Sequence, residues 1–190
     1  MARWEAGTHE RLQRAALDLF AARGYDGVTV AEIAAGAGTT ERTFFRHFAD
    51  KREVLFRGRD DFERAFVTAV AEAPDGDPLT LARAGLTGGA AHFTQDRRSW
   101  SQARQRVVDA HPALQERELL KLSALAAALT QALTDRGVAP VPAALAAESA
   151  VTVFHTAFAV WIAEGEERTF ADVQAAVLAE LHALFTAGRG

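Results

Sequence analysis

Residues 28–51, VTVAEIAAGAGTTERTFFRHFADK, carry the punctuation that decides the fold. Thr29 and Glu32 are spaced as a capping box: the threonine hydroxyl accepts from the Glu32 amide and the glutamate reaches back to the cap. Val28 and Ile33 flank that cap as a hydrophobic staple. A helix therefore starts at about Val30. Gly36-Ala37-Gly38 ends it, because glycine takes the left-handed conformation that other residues resist. Thr40 caps a second helix, Glu41–Phe48, and Asp50 with Glu53 caps a third. Two short helices joined by a tight turn make a helix-turn-helix pattern.

The second helix has two sides. Phe44 and Phe48, four residues apart, share the side that would be buried, and Arg42 and Arg46 share the opposite one with Thr43 beside them. Phe45 and His47 lie at the edges. Such a helix reads either as an ordinary amphipathic helix with solvated arginines or as a reader of the DNA major groove. In the groove, arginine forks onto guanine and threonine meets a methyl or a phosphate.

Ala31-Glu32-Ile33-Ala34, the Gly38-Thr39-Thr40 turn and Thr43-Phe44-Phe45-Arg46-His47-Phe48 with Asp50-Lys51 closely resemble the tetracycline-repressor (TetR) family of transcriptional regulators. The resemblance covers roughly Thr8 to Phe56 by motif and the remainder by architecture alone. It implies that Glu41–Phe48 is a recognition helix and that Thr40, Arg42, Thr43, Phe45, His47 and Lys51 contact bases or phosphates. The outward direction of Arg46 adds that residue to the set. Phe45 stands where the family usually has tyrosine, which removes one hydroxyl contact to a phosphate and leaves packing against sugar or a thymine methyl.

The 190 residues are 49% apolar and 24% charged, the balance of a globular protein. There is no cysteine, which excludes disulfides and thiolate metal sites. No apolar run reads as long enough to span a bilayer, the N-terminus lacks the apolar stretch of a signal peptide, and cytoplasm is the expected location. The net charge of −4 divides unevenly: residues 1–57 carry +1 and residues 58–190 carry −5. A locally basic head can meet phosphates despite an acidic body, because screening limits the reach of charge to ~8 Å at physiological salt.

The expected fold is all-α: a three-helix DNA-binding head over residues 1–55 and a helical effector-binding and dimerisation body over 56–190. In the head, Thr8 reads as the cap of a first helix running to Arg23, with Leu12, Leu19 and Phe20 facing inward. From Lys51 a helical pattern continues to about Ala73, so a single rigid helix would join head to body. Pro74-Asp75-Gly76-Asp77-Pro78 breaks it. The body helices are expected over 79–94, 97–110, 112–136, 142–163 and 170–187, with Val138–Pro142 as a stiff extended connector.

The last two helices carry apolar stripes, Val151, Phe154, Phe158 and Trp161 or Ile162 on one, and Val173, Val177, Leu181 and Leu184 or Phe185 on the other. They would either complete the body's core or meet a second copy in a two-fold four-helix interface, and the family resemblance favours a homodimer. Catalytic and metal motifs are missing: His9-Glu10 has no second histidine four residues on, and neither G-x-S-x-G nor a P-loop occurs. Neither catalytic nor metal-ligating residues nor a cofactor is expected. Gly85, Gly88 and Gly89 read as sites of close helix packing or a kink.

Phe62, Phe66, Phe93, Trp100, Phe154 and Phe158 read either as core or as the lining of an apolar cavity. The family resemblance implies a ligand cavity there, with His92, Gln102 and Arg106 as polar candidates to orient a ligand. His111–Glu118 resembles a branch of the family with members that sense acyl thioesters. The expectation is a repressor released from a partly palindromic duplex operator by a small apolar or amphipathic effector. The alternatives are an activator on the same fold, or a small-molecule-binding all-α protein with a non-functional head.

Overall fold

A computed structural model describes the backbone of residues 2–56 and 59–186, and the side chains of 7–56 and 61–184. The described residues are helical or in turns and loops, without strands. The chain packs as two units, Met1–Arg59 with Gln102–Leu119, and Asp60–Ser101 with Leu120–Gly190. A colinear division near residue 55 does not contain this arrangement: 102–119 packs with the N-terminal helices.

The N-terminal unit holds α1 (Ala2–Arg23), α2 (Val30–Gly36) and α3 (Glu41–His47), then a 3-10 turn, Arg52–Leu55. Thr8 does not cap α1. It lies inside the helix, buried, and Arg11 donates to its hydroxyl. The capping box of α2 forms as the spacing requires: Thr29 Oγ1 accepts from the Glu32 amide at 3.2 Å, and Glu32 accepts from the Thr29 amide at 2.8 Å. Beyond α2 the Gly38 amide bonds to Ala35 O and the Thr39 amide to Ala34 O, which closes the helix around Gly38 at φ 66°. Leu12, Ala16, Leu17, Phe20, Ile33, Phe44 and Phe48 form the core. Leu19 is only half-buried, and Leu17 takes the inward position instead.

The single helix expected from Lys51 to Ala73 is not continuous. Phe56 is extended at φ −108° and ψ 133°, after the 3-10 turn, and α4 runs Arg59–Glu72. The apolar spacing that suggested continuity is that of two separate segments, each burying its own side: Val54, Leu55 and Phe56 in one, Phe66 and Val70 in the other.

The C-terminal unit contains α4, α5 (Pro78–Ala90), a 3-10 turn Gln95–Arg97, α8 (Pro140–Trp161) and α9 (Phe170–Thr186); α6 (Arg98–Asp109) and α7 (Pro112–Asp135) contribute to both units. Asp77 caps α5 through the amides of Leu79 and Thr80, and Thr169 caps α9 through the amide of Asp172. Pro140 and Val141 belong to α8, so the expected extended connector is shorter than read. Pro140 sits in the first turn, where its missing amide costs no hydrogen bond. Arg136 closes the C-terminal end of α4, donating to Val70 O, Ala71 O and Ala73 O at 2.8–3.1 Å and pairing with Asp75 at 2.8 Å.

α8 packs on α9 and α5. It is 22 residues long and contains an 18-residue window of mean hydropathy 1.4, long and apolar enough to cross a membrane by composition, contrary to the sequence expectation. Its apolar residues Ala143, Ala147, Ala150, Val153, Phe154, Ala157 and Trp161 are buried in the unit's own core. The stripes expected to face a second copy face that core too: Val151, Phe154, Trp161 and Val173 are buried, while Phe158, Ile162, Val177 and Leu181 pack half-buried against it. The outward faces carry Val141, Leu145, Thr152, His155 and Ala159 on α8, and Ala171, Ala175 and Ala179 on α9.

Candidate nucleic-acid interface and the aromatic cluster

Thr40 starts α3, its hydroxyl accepting from the Thr43 amide at 3.3 Å and lying 3.2 Å from the Thr43 hydroxyl. Phe44, fully buried, and Phe48 anchor the helix with ring centroids 5.2 Å apart. That anchoring turns Arg42, Phe45 and Arg46 outward; all three are exposed, and Thr43 and His47 are half-buried beside them. Neither Arg42 nor Arg46 has an ion-pair partner among the described residues. Two unpaired guanidiniums four residues apart on an anchored helix suit forked contacts to base edges. Phe45 is 53% exposed, a large apolar surface to leave in water. His47 leans toward α1, with its ring 6.1 Å from that of His9.

Lys51 is placed differently. Its ammonium donates to Tyr25 O and Val28 O, both at 2.9 Å, and lies 4.1 Å above the Tyr25 ring. It braces the turn that leads into α2, a role the sequence reading did not contain. Around it the charges are tied locally. Asp50 accepts from the amides of Arg52 and Glu53 and pairs with Arg52 at 2.9 Å. Burial alone would raise the Asp50 carboxyl, but the Arg52 hydrogen bond and the two amides hold it below its usual value. Glu32 is held down to about 2 by the hydrogen bond from Arg23, with the Thr29 amide and hydroxyl adding to it.

Residues 102–119 complete this unit. Arg104 is buried and donates to Leu55 O at 3.2 Å and to Glu118, with its guanidinium 4.7 Å from the Phe56 ring. Arg117 pairs with Glu53. His111 Nε2 lies 3.0 Å from Asp26 Oδ2, and its ring is 4.7 Å from that of Tyr25. The stretch His111–Glu118, which suggested a thioester-sensing branch, therefore uses His111, Arg117 and Glu118 to hold the turns around α2 and α3.

In the C-terminal unit Phe62, Phe66, Phe93, Phe154 and Phe158 come together as expected of either reading, and Trp161 and Phe170 join them. Phe93 is the hub, with centroids 4.6 Å from Phe170, 5.5 Å from Phe154 and 6.0 Å from Trp161. Trp100, on α6, is half-buried and makes no ring contact with this cluster. His92 stands edge-on to Phe62 at 5.9 Å. Gln102 and Arg106 belong to the N-terminal unit, Arg106 exposed. The α5 glycines allow close packing with α4: a methyl group at Gly89 would fall 2.0 Å from the Phe66 ring.

Residues 12–57 match the family model for the bacterial regulatory proteins of the tetR family. The HTH-type transcriptional regulator TcmR of Streptomyces glaucescens is 41% identical over 78 residues, which are 41% of this chain and 34% of TcmR. The matched stretch thus spans about a third of that relative's length. A structure from Syntrophomonas wolfei, assigned to the TetR family of transcriptional regulators, superposes with TM-score 0.64 at 18% identity, covering 93% of this chain and 94% of the other. AibR, solved in complex with isovaleryl coenzyme A and operator DNA, gives 0.50 at 21% identity, covering 91% and 97%. At these identities the structural likeness carries the fold.

Proposed function

We propose that this chain, whose residues 12–57 match the family model for the bacterial regulatory proteins of the tetR family, is a DNA-binding transcriptional regulator and a ligand-responsive repressor, released from a partly palindromic operator when a small apolar or amphipathic molecule enters its C-terminal unit. The observation that carries the DNA half is α3: Phe44 and Phe48 fix the helix, and Arg42, Phe45 and Arg46 stand exposed, the arginines without ion pairs among the described residues. Thr40, Thr43, His47 and Lys51 border them, with Lys51 bracing the adjoining turn. AibR, with its acyl thioester and operator, supports the ligand half as a related fold that holds both kinds of molecule.

A repressor of this kind reads two half-sites, ~34–36 Å apart on successive major grooves, as a homodimer. The faces that support a dimer are the outward sides of α8 and α9, with Val141 and Leu145 both more than 60% exposed and a line of small alanines at Ala171, Ala175 and Ala179. Small residues let helices approach closely. An operator-bound regulator works where the chromosome is, in the cytoplasm. Selecting duplexes from a random pool with the purified protein tests the reading: an inverted repeat should emerge, and a pool without any enriched sequence would refute it. Activation on the same fold is separated from repression by the sign of reporter expression from the selected operator.

A further inference from the structure

An apolar ring stands in solvent at the edge of the basic face of α3. Phe45 is 53% exposed, and among the described residues no other phenylalanine, tyrosine or tryptophan is exposed. The ring is held in place: it meets the buried Phe44 edge to face, with centroids 5.5 Å apart and planes at 82°. Phe44 in turn packs on Phe48, also buried, so the support of the exposed ring is part of the core. Arg42 lies one helical turn before Phe45 and Arg46 directly follows it, both exposed and without ion pairs among the described residues. A duplex drawn to those two guanidiniums therefore meets the ring as well.

The chemistry of the ring limits what it can meet there. A phenyl group has no polar atom, so it can neither donate to a phosphate nor pair with the donors and acceptors of a base edge. Two kinds of apolar surface remain on a duplex. Sugar carbons occur at every nucleotide and carry no sequence information. The C5-methyl of thymine occurs at one base alone and projects into the major groove. Phe45 and His47 lie on opposite edges of the face that Arg42 and Arg46 occupy. A helix that lays its arginines against the base edges thus brings Phe45 toward one side of the groove, where the thymine methyl stands beside its own strand. Contact there removes both apolar groups from water, which is favourable in proportion to the area covered.

We propose that Phe45 is a specificity-determining residue that reads the C5-methyl of a thymine neighbouring the base pair contacted by Arg42 or Arg46. This rests on the DNA-binding reading above and names the base group that one residue recognises. Such a contact tells thymine from uracil, and 5-methylcytosine from cytosine, distinctions that no hydrogen bond in the groove can make.

The test replaces each thymine of the selected operator in turn by deoxyuridine, which removes the methyl group and keeps every hydrogen bond. One position in each half-site should lose about fourfold in affinity, the worth of one buried methyl group. Phe45→Ala, with an unchanged melting temperature because the ring is exposed, should bind the thymine and deoxyuridine duplexes equally. Cytosine at that position should bind more weakly. Its C5-methylated form should recover about fourfold with the unmodified protein and nothing with Phe45→Ala. The deoxyuridine series needs no variant, so it decides the matter even where Phe45→Ala folds poorly. Indifference of the unmodified protein to deoxyuridine at every thymine overturns the proposal. Equal loss by Phe45→Ala on both duplexes would place the ring on sugar and overturns it as well. If no duplex is enriched from a random pool, the DNA-binding reading falls and the methyl contact with it. An enriched operator that is indifferent to deoxyuridine keeps that reading and removes the methyl contact alone.

Discussion

Arg117 on α7 forms an ion pair with Glu53 of the 3-10 turn, 64 residues earlier in the chain, and both side chains are largely buried. Together with Arg104 on Leu55 O and Glu118, and His111 on Asp26, the pair ties residues 102–119 to the turns that hold the helix-turn-helix. Removing one member of a buried charge pair strands the other. Arg117→Ala should therefore cost about 1–3 kcal/mol in urea unfolding of the N-terminal unit. The double variant Arg117→Leu/Glu53→Leu should recover part of that. Equal loss in both variants would show that the charges themselves contribute little.

Lys51 separates bracing from phosphate contact. With its ammonium on Tyr25 O and Val28 O, Lys51→Ala should lower the thermal stability of the free protein as well as weaken duplexes of every sequence. A variant with unchanged melting temperature and a salt slope reduced by about one would assign Lys51 to phosphate alone.

Glu32 provides a pH test. Its folded value of about 2 lies below the ordinary 4.5 because Arg23 and the Thr29 groups favour the carboxylate. Its contribution is thus fully present above pH 4.5 and disappears as pH falls toward 2. The acid limb of head unfolding should flatten in Glu32→Gln between those values. An identical limb in both proteins would mean that this network does not stabilise the fold.

At Gly89 an added methyl would meet the Phe66 ring at 2.0 Å. Gly89→Ala should destabilise the C-terminal unit by about 1–3 kcal/mol through overpacking, despite alanine's higher helix propensity. Near-ultraviolet circular dichroism should change with it, since Phe66 touches Phe62 and Phe154. A more stable variant would show that Phe66 moves aside at no cost.

The helix-turn-helix was legible because its signals are local. Thr29, Glu32, Gly38 and Thr40 act within one turn of chain, and each does in the structure what its spacing required. The break at Phe56 was hidden because apolar spacing on either side of it fits a single helix, and one extended residue leaves no mark on a periodicity. The partner of residues 102–119 was hidden for another reason: Arg104, Glu118 and Arg117 find Leu55 and Glu53 only through the tertiary fold. On α8 and α9 the residues are apolar or small nearly all round, so the stripes could not tell the core from the outward face. The aromatic residues gathered as expected, except Trp100, while Phe170 and Gln174 went unnoticed among the general apolar residues of α9.

Those outward faces make the dimer testable. Leu145 is 65% exposed on α8, so Leu145→Arg should leave the helical content intact and convert a dimer to a 20.4 kDa monomer in light scattering. Phe158→Arg, placed in the aromatic cluster, should instead lower stability. A dimer that persists in Leu145→Arg would move the interface elsewhere.

The central claim is that the outward face of α3 reads sequence. Titrating the selected operator and a scrambled duplex with the unmodified protein, Arg42→Ala and Arg46→Ala, at several salt concentrations, tests it most directly. At least one of the two variants should lose ~1–3 kcal/mol on the operator and relax the preference at a particular base pair, while scrambled binding changes little. Parallel loss on operator and scrambled duplex in both variants would contradict the account, because both arginines would then be touching phosphate alone.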